Sequence, residues 1–448
     1  MLDLFLHKDN QQNQLYTGKQ AWIVDVSMGY GHQRTAFPLR HLAPDAKIIN
    51  ANNYKGIPET DKKIWESTRG FYEFISSFKR VPVLGDFCFW LMDRFQKIAE
   101  YYPLRDLSRP NLSIWQIYQT FKRGWGRHLI NKLKENPLPL VTTFFTPAFM
   151  AEYFGYQKDI FCVICDADIA RAWAPMEPRK SRIKYFAPTH RVANRLQLYG
   201  IKKENIFLTG YPLPLENIGS EKMEILKSDL SKRILNLDSQ GLYRQRYATL
   251  IKRYLGSLPE KSEHPLTIMF AIGGAGAQKE IAIKVIKSLK EKINLEEIKI
   301  ILVAGIKIAV RDYFIETLKS SGMDGSNKNI EILWAENMED YFTKFNTALR
   351  VTDILWTKPS ELSFYVGLGI PIIIAPTIGS QEDFNREWLL QHHAAIPQGN
   401  PNYTNEWLFD FLKIGSLADA AMHGFIEAQK LGAFNIEKII NGRTIDIS

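Results

Sequence analysis

A histidine that directly follows a glycine turn is the first residue whose type and position suit chemistry. In the stretch VDVSMGYGHQRTA, residues 21–27 predict a buried parallel strand and residues 33–42 predict a helix, so Gly29 and Gly31 form the turn between them. His32 then lies at a helix N-terminus and at the carboxyl end of a strand, where ligands bind in open parallel sheets. The other interpretation is a tight turn with a solvated histidine.

A second glycine turn stands in the stretch IMFAIGGAGAQKEIAI. Gly273, Gly274 and Gly276 let the backbone approach a ligand, and the helix that follows offers free N–H groups to a phosphate. The stretch is not the dinucleotide fingerprint G-x-G-x-x-G, because Lys279 occupies the place of the third glycine. In addition, the next strand ends at Gly305, where that fold requires an acidic residue. We therefore predict a phosphate-facing loop of another kind.

Polar residues follow two neighbouring strands in the stretch DILWTKPSELSFYVGLGIPIIIAPTIGSQEDFNREWL. The first strand leads into Lys358, and a helix begins with Ser360 as N-cap and Glu361 in its first turn. Loops that leave the carboxyl ends of neighbouring strands converge on one crevice, where carboxylates and amides suit sugar hydroxyls. The alternative is that Ser360 and Glu361 only cap the helix. The loop after the second strand contributes Gln381, Glu382, Asp383 and Asn385.

The composition is that of an ordinary globular protein. A chain of 448 residues with 45% apolar residues can bury two cores, and its longest apolar runs are too short to cross a bilayer. The N-terminal stretch MLDLFLHKDNQQNQ lacks the features of a signal peptide, so we expect a cytoplasmic location. Cys88, Cys162 and Cys165 give no disulfide framework. Cys162 and Cys165 stand three apart in a strand and point to opposite faces, which disfavours a redox or zinc site.

Much of the positive charge lies in one aromatic segment. The net charge is +9, and residues 55–135 hold fifteen Lys or Arg against nine Asp or Glu. Basic and aromatic residues interleave there at helical spacing, which suits an anionic membrane surface as well as a buried helical core. Nucleic acid is the competing partner, but no recognised nucleic-acid module is present, so we expect none. The candidate lipid-contacting residues are Lys79, Arg80, Trp90, Lys122, Arg123 and Trp125.

Short apolar runs alternate with amphipathic stretches twice along the chain, which predicts two α/β domains with parallel sheets. The N-terminal domain is predicted at residues 1–215, with a helical insertion at about 55–137. A charged helical connector at 216–263 leads to a C-terminal domain at 264–448 that ends in a helix. The predicted strands are 22–27, 47–51, 140–145, 160–166, 183–187 and 206–209 in the first domain, and 266–272, 298–304, 330–333, 353–356 and 371–375 in the second.

From about Ala21 to about Gln398 the chain resembles the two-domain GT-B glycosyltransferases. Within them it is most similar to the branch of monogalactosyldiacylglycerol synthase and the N-acetylglucosaminyl transferase of peptidoglycan lipid assembly. The glycine turn that ends in His32 matches the opening motif, and Asp166 in VICDADIARAW matches a mid-domain aspartate. The segment FAPTHRVANRLQLYGIKKENIFLTGYPL follows the family's strand, helix and G-x-P pattern, and the basic aromatic segment corresponds to its membrane-touching helices.

The resemblance implies two Rossmann-like domains that face each other across a cleft. A UDP-linked nucleotide sugar is expected in the C-terminal domain, and an acceptor, which the resemblance implies to be lipid-linked, at the N-terminal domain. Gly29 and Gly31 are then predicted on the acceptor and phosphate side. The predicted donor-binding residues are Gly273, Gly274, Gly276, Ala277, Gly305, Lys358, Ser360, Glu361, Gln381, Glu382 and Asn385.

The sequence departs from the family after Lys358. The family's ribose-binding glutamate comes seven residues before the proline of the following strand, a place that Phe364 occupies here. Glu361 stands three residues earlier, in a loop about two residues shorter. Either the helix starts differently and Glu361 takes that role, or nucleotide recognition is altered.

The resemblance implies transfer with inversion at the anomeric carbon, which needs a base for the attacking hydroxyl. His32 is the candidate base because its ordinary pKa lies near neutrality, and Asp166 is the rival base or the group that orients the ring. The glycine loop and helix dipole would stabilise the leaving diphosphate, so we expect no metal and no cofactor, although the DAD at 166–168 resembles a metal-binding D-x-D. Two other functions stay open: a nucleotide-sugar epimerase, and a non-catalytic GT-B-like binding protein.

Overall fold

Twelve strands of the described chain form two six-stranded β-sheets. The computed structural model describes residues 18–67, 98–271, 278–323, 328–377 and 380–445. The first sheet contains β1 (Trp22–Asp25), β2 (Ile49–Asn50), β3 (Leu140–Thr142), β4 (Ile160–Val163), β5 (Lys184–Ala187) and β6 (Ile206–Leu208). The second contains β7 (Leu266–Ala271), β8 (Ile298–Gly305), β9 (Ile330–Trp334), β10 (Ile354–Thr357), β11 (Ile372–Ile374) and β12 (Ala395–Pro397).

The strand pairings in both sheets are parallel. The strand order is β2-β1-β3-β4-β5-β6 in the first sheet and β12-β11-β10-β7-β8-β9 in the second. Parallel strands need crossover connections, and the apolar strand sequences are buried because helices cover them. The predicted fold class, two Rossmann-like α/β domains with parallel sheets, is confirmed. We call the part built on the first sheet the N-terminal domain and the part built on the second the C-terminal domain.

Helices connect the strands of both sheets. Residues 59–67 are helical, and 3₁₀ segments lie at Phe37–Leu42, Pro44–Ala46, Arg171–Trp173, Lys203–Asn205, Glu361–Leu368 and Pro401–Tyr403. The other described α-helices are Tyr30–Ala36, Leu112–Lys122, Arg127–Glu135, Phe145–Tyr153, His190–Leu198, Leu215–Ile218, Glu224–Leu237, Leu242–Arg246, Ala248–Leu255, Lys279–Ser288, Lys290–Asn294, Ile308–Ser320, Met338–Leu349, Ser380–Gln391, Thr404–Lys413, Ser416–Glu427 and Gly432–Ile440.

The predicted elements differ from the structure mainly at their ends. The helix expected at residues 33–42 begins earlier, at Tyr30, and gives way to a 3₁₀ segment after Ala36, because Pro38 has no N–H to continue the α-helical pattern. The strand expected at 140–145 stops at Thr142, since the next residues turn into a helix. The sequence analysis missed β12, whose three residues end in a proline.

Within the described residues the chain crosses between the two sheets twice, near Tyr211 and near Gly432, and these two segments lie side by side. A Cβ on Gly432 would lie 2.3 Å from the Tyr211 carbonyl oxygen, so only glycine fits where the two segments touch. The helix that begins at Gly432 packs Ile436 and Ile440 into the apolar cluster that contains Leu39 and lies beside the first sheet. The predicted division at residue 264 assigned this helix to the C-terminal domain, whereas its side chains pack on the N-terminal one.

The described part of the insertion mixes a packed core with an exposed surface. Trp125 is buried, with its ring 4.8 Å from that of Trp65, and this packing excludes the lipid contact predicted for it. Lys122 and Arg123 are exposed as expected. No helix in the described ranges is long and apolar enough to cross a bilayer. The predicted lipid contacts at Lys79, Arg80 and Trp90, and also Cys88, lie outside the described residues.

Candidate functional site at the meeting edges of the two sheets

The His32 ring is fixed against the carboxyl end of β3. His32 lies in the first turn of the helix that follows β1, and its Nδ1–H donates to the Thr143 carbonyl at 2.8 Å. Thr143 Oγ1 donates in return to the His32 carbonyl at 2.9 Å. A carbonyl only accepts, so the neutral ring carries its proton on Nδ1 and keeps a free lone pair on Nε2. The rings of Phe144 and Trp173 pack beside it, with centroids 4.8 and 6.3 Å away.

Burial sets the protonation state of His32. It lowers the pKa of the imidazole to about 4, an effect that the Thr143 carbonyl and the Glu361 carboxylate offset only in part. The ring is therefore neutral at physiological pH, and a solvated turn histidine does not describe it. Two details differ from the sequence-based expectation: the pKa lies below the neutral range, and Thr143 rather than Asp166 orients the ring.

Asp166 lies at the contact between the two domains. The Asn385 amide nitrogen donates to Asp166 Oδ1 at 3.3 Å, and the Asn385 amide oxygen accepts the Ala167 backbone N–H at 2.8 Å. Burial raises the pKa of Asp166 to about 6, the Asn385 hydrogen bond opposes that rise, and the carboxylates of Glu361 and Glu382 add to it. Asn385, predicted on the donor side, thus binds the backbone and the candidate base of the opposite domain.

Two arginine side chains bind the Asp168 carboxylate. Arg195 donates from Nε and Nη2 to its two carboxylate oxygens at 2.8 and 2.7 Å, and Arg191 Nε donates to Oδ2 at 3.0 Å. These bonds leave the DAD sequence without the open carboxylate pair that a D-x-D metal site requires. Across the described ranges, no group of three or more His, Cys, Asp or Glu side chains is arranged to hold a metal ion.

Glu361 pairs with an arginine of the other domain. Arg34 Nε donates to Glu361 Oε1 at 3.2 Å, and the Arg34 and Glu361 side chains are only 3% and 13% exposed. Gly31 lies in the first turn of helix Tyr30–Ala36 rather than in the turn predicted before it, and Glu361 Oε2 lies 3.1 Å from the position of a Cβ on Gly31, so the glycine makes room for the carboxylate. The sequence analysis missed Arg34, although it stands two residues after His32 on the same short helix.

The neighbouring donor-side residues make local contacts. Lys358 Nζ forms an ion pair with Glu382 Oε1 at 2.5 Å. Ser360 is an N-cap by position, but its side chain makes no capping bond, and the segment that follows is a 3₁₀ rather than an α-helix. Gln381 lies, partly buried, in the first turn of helix Ser380–Gln391.

The glycines differ in what they contact. Gly29 has a φ of 105°, and a Cβ there would meet only open space, as expected for a turn residue. Gly305 has a φ of 65°, and a Cβ there would lie 2.9 Å from the Tyr30 ring, so this glycine faces the other domain. Its neighbour Ile306 donates its N–H to the Tyr30 hydroxyl at 3.5 Å. The predicted phosphate loop at Gly273, Gly274, Gly276 and Ala277 lies outside the described residues.

Two buried groups were not among the predicted site residues. Asp25, the last residue of β1, is 5% exposed and accepts a hydrogen bond from the Asn50 amide at 2.7 Å. Burial raises the pKa of Asp25 to about 7, and the Asn50 bond opposes the rise. Cys165 Sγ lies 3.4 Å from His32 Nδ1, and burial raises the pKa of its thiol well above the ordinary value. The position of Asp25 at a carboxyl strand end was the available signal.

Comparison with known proteins adds a partial family match and distant structural likenesses. Residues 258–326 match a family model described as "Domain of unknown function (DUF6938)". No curated protein matches the chain in sequence.

Three solved structures illustrate the likeness. The Staphylococcus aureus MnaA–UDP structure is 12% identical, with 96% of this chain and 100% of that chain covered and a TM-score of 0.47. Acinetobacter baumannii MurG is 12% identical, with 94% of this chain and 99% of that chain covered and a TM-score of 0.45. The Neisseria meningitidis UDP-GlcNAc 2-epimerase bound to UDP-GlcNAc is 13% identical, with 94% and 98% covered and a TM-score of 0.46. Likeness at this level carries no inference about the activity of this chain.

The raised pKa of Asp25 predicts a pH-dependent stability. A carboxyl whose folded pKa exceeds its unfolded value stabilises the fold at low pH, and that contribution is lost as the pH rises through about 7. Asp25→Asn removes this titration. Between pH 5 and pH 8 we expect the wild type to lose about 2–3 kcal/mol of its free energy of unfolding relative to the variant, so the stability of the variant over the wild type rises by that amount. Urea unfolding of both proteins at the two pH values measures it, and parallel pH profiles would contradict the assignment.

Proposed function

We propose that the chain is a glycosyltransferase that moves a sugar from a nucleotide donor at the C-terminal domain to a hydroxyl group at the N-terminal domain. The observation that carries this proposal is the fixed His32 ring, whose Nε2 lone pair is held at the carboxyl edge of the first sheet. Asn385 and Glu361 reach the same edge from the second sheet. A base, carboxylates and an amide from two domains thus meet at one edge, which supports a site shared by a donor and an acceptor.

His32 can act as base although burial lowers its pKa. A nucleotide diphosphate brings negative charge, which favours the protonated imidazole and raises its pKa. The acceptor hydroxyl then loses its proton to Nε2 as it attacks the anomeric carbon from the face opposite the leaving nucleotide, which inverts that carbon. Asp166 is the rival base, because a carboxyl with a pKa of about 6 is also matched to proton transfer near neutrality.

A non-catalytic binding protein is the second candidate, and a specific observation favours it. Glu361 is bound to Arg34, and Lys358 is bound to Glu382, so all three charged residues expected to contact the donor already have protein partners. A protein that no longer catalyses sugar transfer would not need to break these ion pairs.

Incubation with a panel of labelled nucleotide sugars and lipid acceptors tests the proposal. Transfer of the label to lipid supports the transferase. A converted sugar nucleotide would instead identify an epimerase, and binding without turnover would identify the non-catalytic protein. Thermal stabilisation across the same panel finds the donor, because a ligand at 100 times its dissociation constant adds about 2.7 kcal/mol.

The base assignment predicts a loss of turnover without a loss of fold. Because the His32 ring packs against Phe144 and Trp173, Asn is a better replacement than Ala, since it keeps a polar side chain of moderate size. His32→Asn should lower kcat by about 10² to 10⁴ with the identified donor and acceptor, while circular dichroism and the melting temperature stay close to wild type.

The pH profile of kcat/KM separates the two bases. If His32 is the base, the acid limb falls near pH 4 and Asp166→Asn leaves it in place. A limb near pH 6 that disappears in Asp166→Asn would transfer the role to Asp166. Near wild-type turnover in His32→Asn would remove the histidine from the mechanism.

We also propose that the insertion brings the protein to an anionic membrane surface, which would supply a lipid-linked acceptor and make the protein peripheral to the membrane. Four large apolar side chains are strongly exposed within a short stretch: Tyr102, Leu104, Leu112 and Trp115, at 70%, 60%, 55% and 53%. Exposed basic residues lie among and after them, at Arg105, Arg109, Lys122 and Arg123. Apolar groups that enter the headgroup region beside cations that face acidic lipid support this partner.

Vesicle sedimentation tests the membrane proposal. Binding should rise with the fraction of anionic lipid and fall with salt, because salt screens exposed charges beyond a Debye length of about 8 Å. Trp115→Ser should weaken binding several-fold, whereas Leu295→Ser, which alters an even more exposed apolar residue of the C-terminal domain, should not. Binding that ignores lipid charge, salt and Trp115 would contradict a membrane role for this surface.

A further inference from the structure

Arg34 belongs to the N-terminal domain but is buried in the C-terminal one. Its Nη2 donates to the Tyr341 hydroxyl at 2.8 Å, and its guanidinium lies 4.2 Å from the centroid of the Phe345 ring. Both residues are on helix Met338–Leu349, which follows β9 of the second sheet. Burial raises the pKa of the Tyr365 hydroxyl, and the charge of Arg34 opposes that rise. The guanidinium is therefore surrounded by the opposite domain.

The ion pair to Glu361 completes this contact. Glu361 begins the 3₁₀ segment that follows β10, at the edge where a donor would bind. Glu361 Oε1 accepts from the buried guanidinium and Oε2 lies against Gly31, so a nucleotide sugar that used this carboxylate would compete with contacts of the N-terminal domain. Separation of the domains would expose both charges to water, and this alone would free Glu361.

Breaking the pair from one side has a predictable consequence. If Arg34 is removed, Glu361 is left in the interface as a buried charge without its cation, which is strongly unfavourable. The domains can relieve this cost by opening, because the carboxylate then becomes solvated. The charge of Arg34 therefore favours the closed arrangement, in which Glu361 is buried and paired.

We propose that Arg34 is a positioning residue for Glu361: it holds the carboxylate on the N-terminal domain and keeps the donor edge closed until the hydroxyl groups of a nucleotide sugar replace the guanidinium. The proposal rests on the proposed function for the identity of the ligand, but the closed arrangement does not depend on any ligand. If only open molecules bind nucleotide, a variant with a larger open fraction binds it with a higher apparent affinity, because the apparent dissociation constant falls as the open fraction rises.

The first experiment measures the distance between the domains without ligand. Spin labels are attached to Lys158→Cys and Lys319→Cys, two exposed positions on the first and second domain, with Cys88→Ser to avoid a third label. Double electron–electron resonance should give a single distance, that of the closed arrangement, for the otherwise wild-type protein. Arg34→Met should add a population at a different distance, and Arg34→Lys, which keeps the charge, should restore the wild-type distance.

A control variant removes an arginine whose ion pair lies inside one segment. Arg244 donates to the buried Asp238 at 3.0 Å within the connector, and this ion pair does not join the two domains. Arg244→Met should leave the distance unchanged. If Arg34→Met does not fold, Glu361→Gln provides the same measurement from the other partner. An unchanged distance in the folded Arg34 or Glu361 variant would overturn the proposal.

The second experiment titrates UDP by calorimetry. Arg34→Met should bind UDP about 10-fold more tightly than wild type, and Arg34→Lys should bind like wild type. Weaker or unchanged binding in Arg34→Met would overturn the proposal, because it would mean that Arg34 serves the nucleotide itself or does not affect it. If no protein in the series binds UDP, the nucleotide in the proposed function is wrong, and the distance measurement alone decides whether Arg34 holds the domains closed.

Discussion

The Arg34–Glu361 ion pair is the contact on which the arrangement of the candidate site depends. Both charges are withdrawn from water, and each finds its partner only when the two sheets meet. A buried pair gains little over an apolar contact, but the loss of one partner costs about 3–5 kcal/mol. The pair therefore contributes specificity for one arrangement of the domains more than stability. Because Arg34 neutralises Glu361, the pair also determines the net charge of the candidate site.

Glycines let the backbones come close enough for this pairing. Gly31 leaves room for the Glu361 carboxylate, and Gly305 leaves room for the Tyr30 ring. The glycine turns of a GT-B-like sequence are expected to face ligands, and here two of these glycines face the opposite domain. The same lack of a Cβ that would admit a phosphate admits a side chain, so a glycine motif predicts close approach without naming what approaches.

The fold was largely predictable because it follows from local sequence pattern. Apolar runs separated by amphipathic stretches predicted the first eleven strands, and the error was confined to their ends and to β12. The edge on which the polar residues gather was also predictable, since the carboxyl ends of parallel strands lie at the same edge of a sheet. Their partners were not predictable, because Arg34 and Glu361 are 327 positions apart and pair only through the packing of two domains. The lowered pKa of His32 likewise depends on burial by Phe144 and Trp173, which no local pattern encodes.

The charges of the site are balanced by the protein's own side chains. Arg34 neutralises Glu361, Lys358 neutralises Glu382, and burial favours the protonated form of Asp166. A diphosphate that entered this arrangement would meet cations already in use, so its negative charge would be stabilised only by breaking an ion pair or by backbone N–H groups. Hydroxyl groups could donate to Glu361 or Glu382, but each exchange would leave a cation without its carboxylate, which is unfavourable for a buried charge. A ligand that carries both hydroxyl groups and a diphosphate could satisfy both halves of such an ion pair, because its hydroxyl groups would replace the cation and its phosphates would replace the carboxylate.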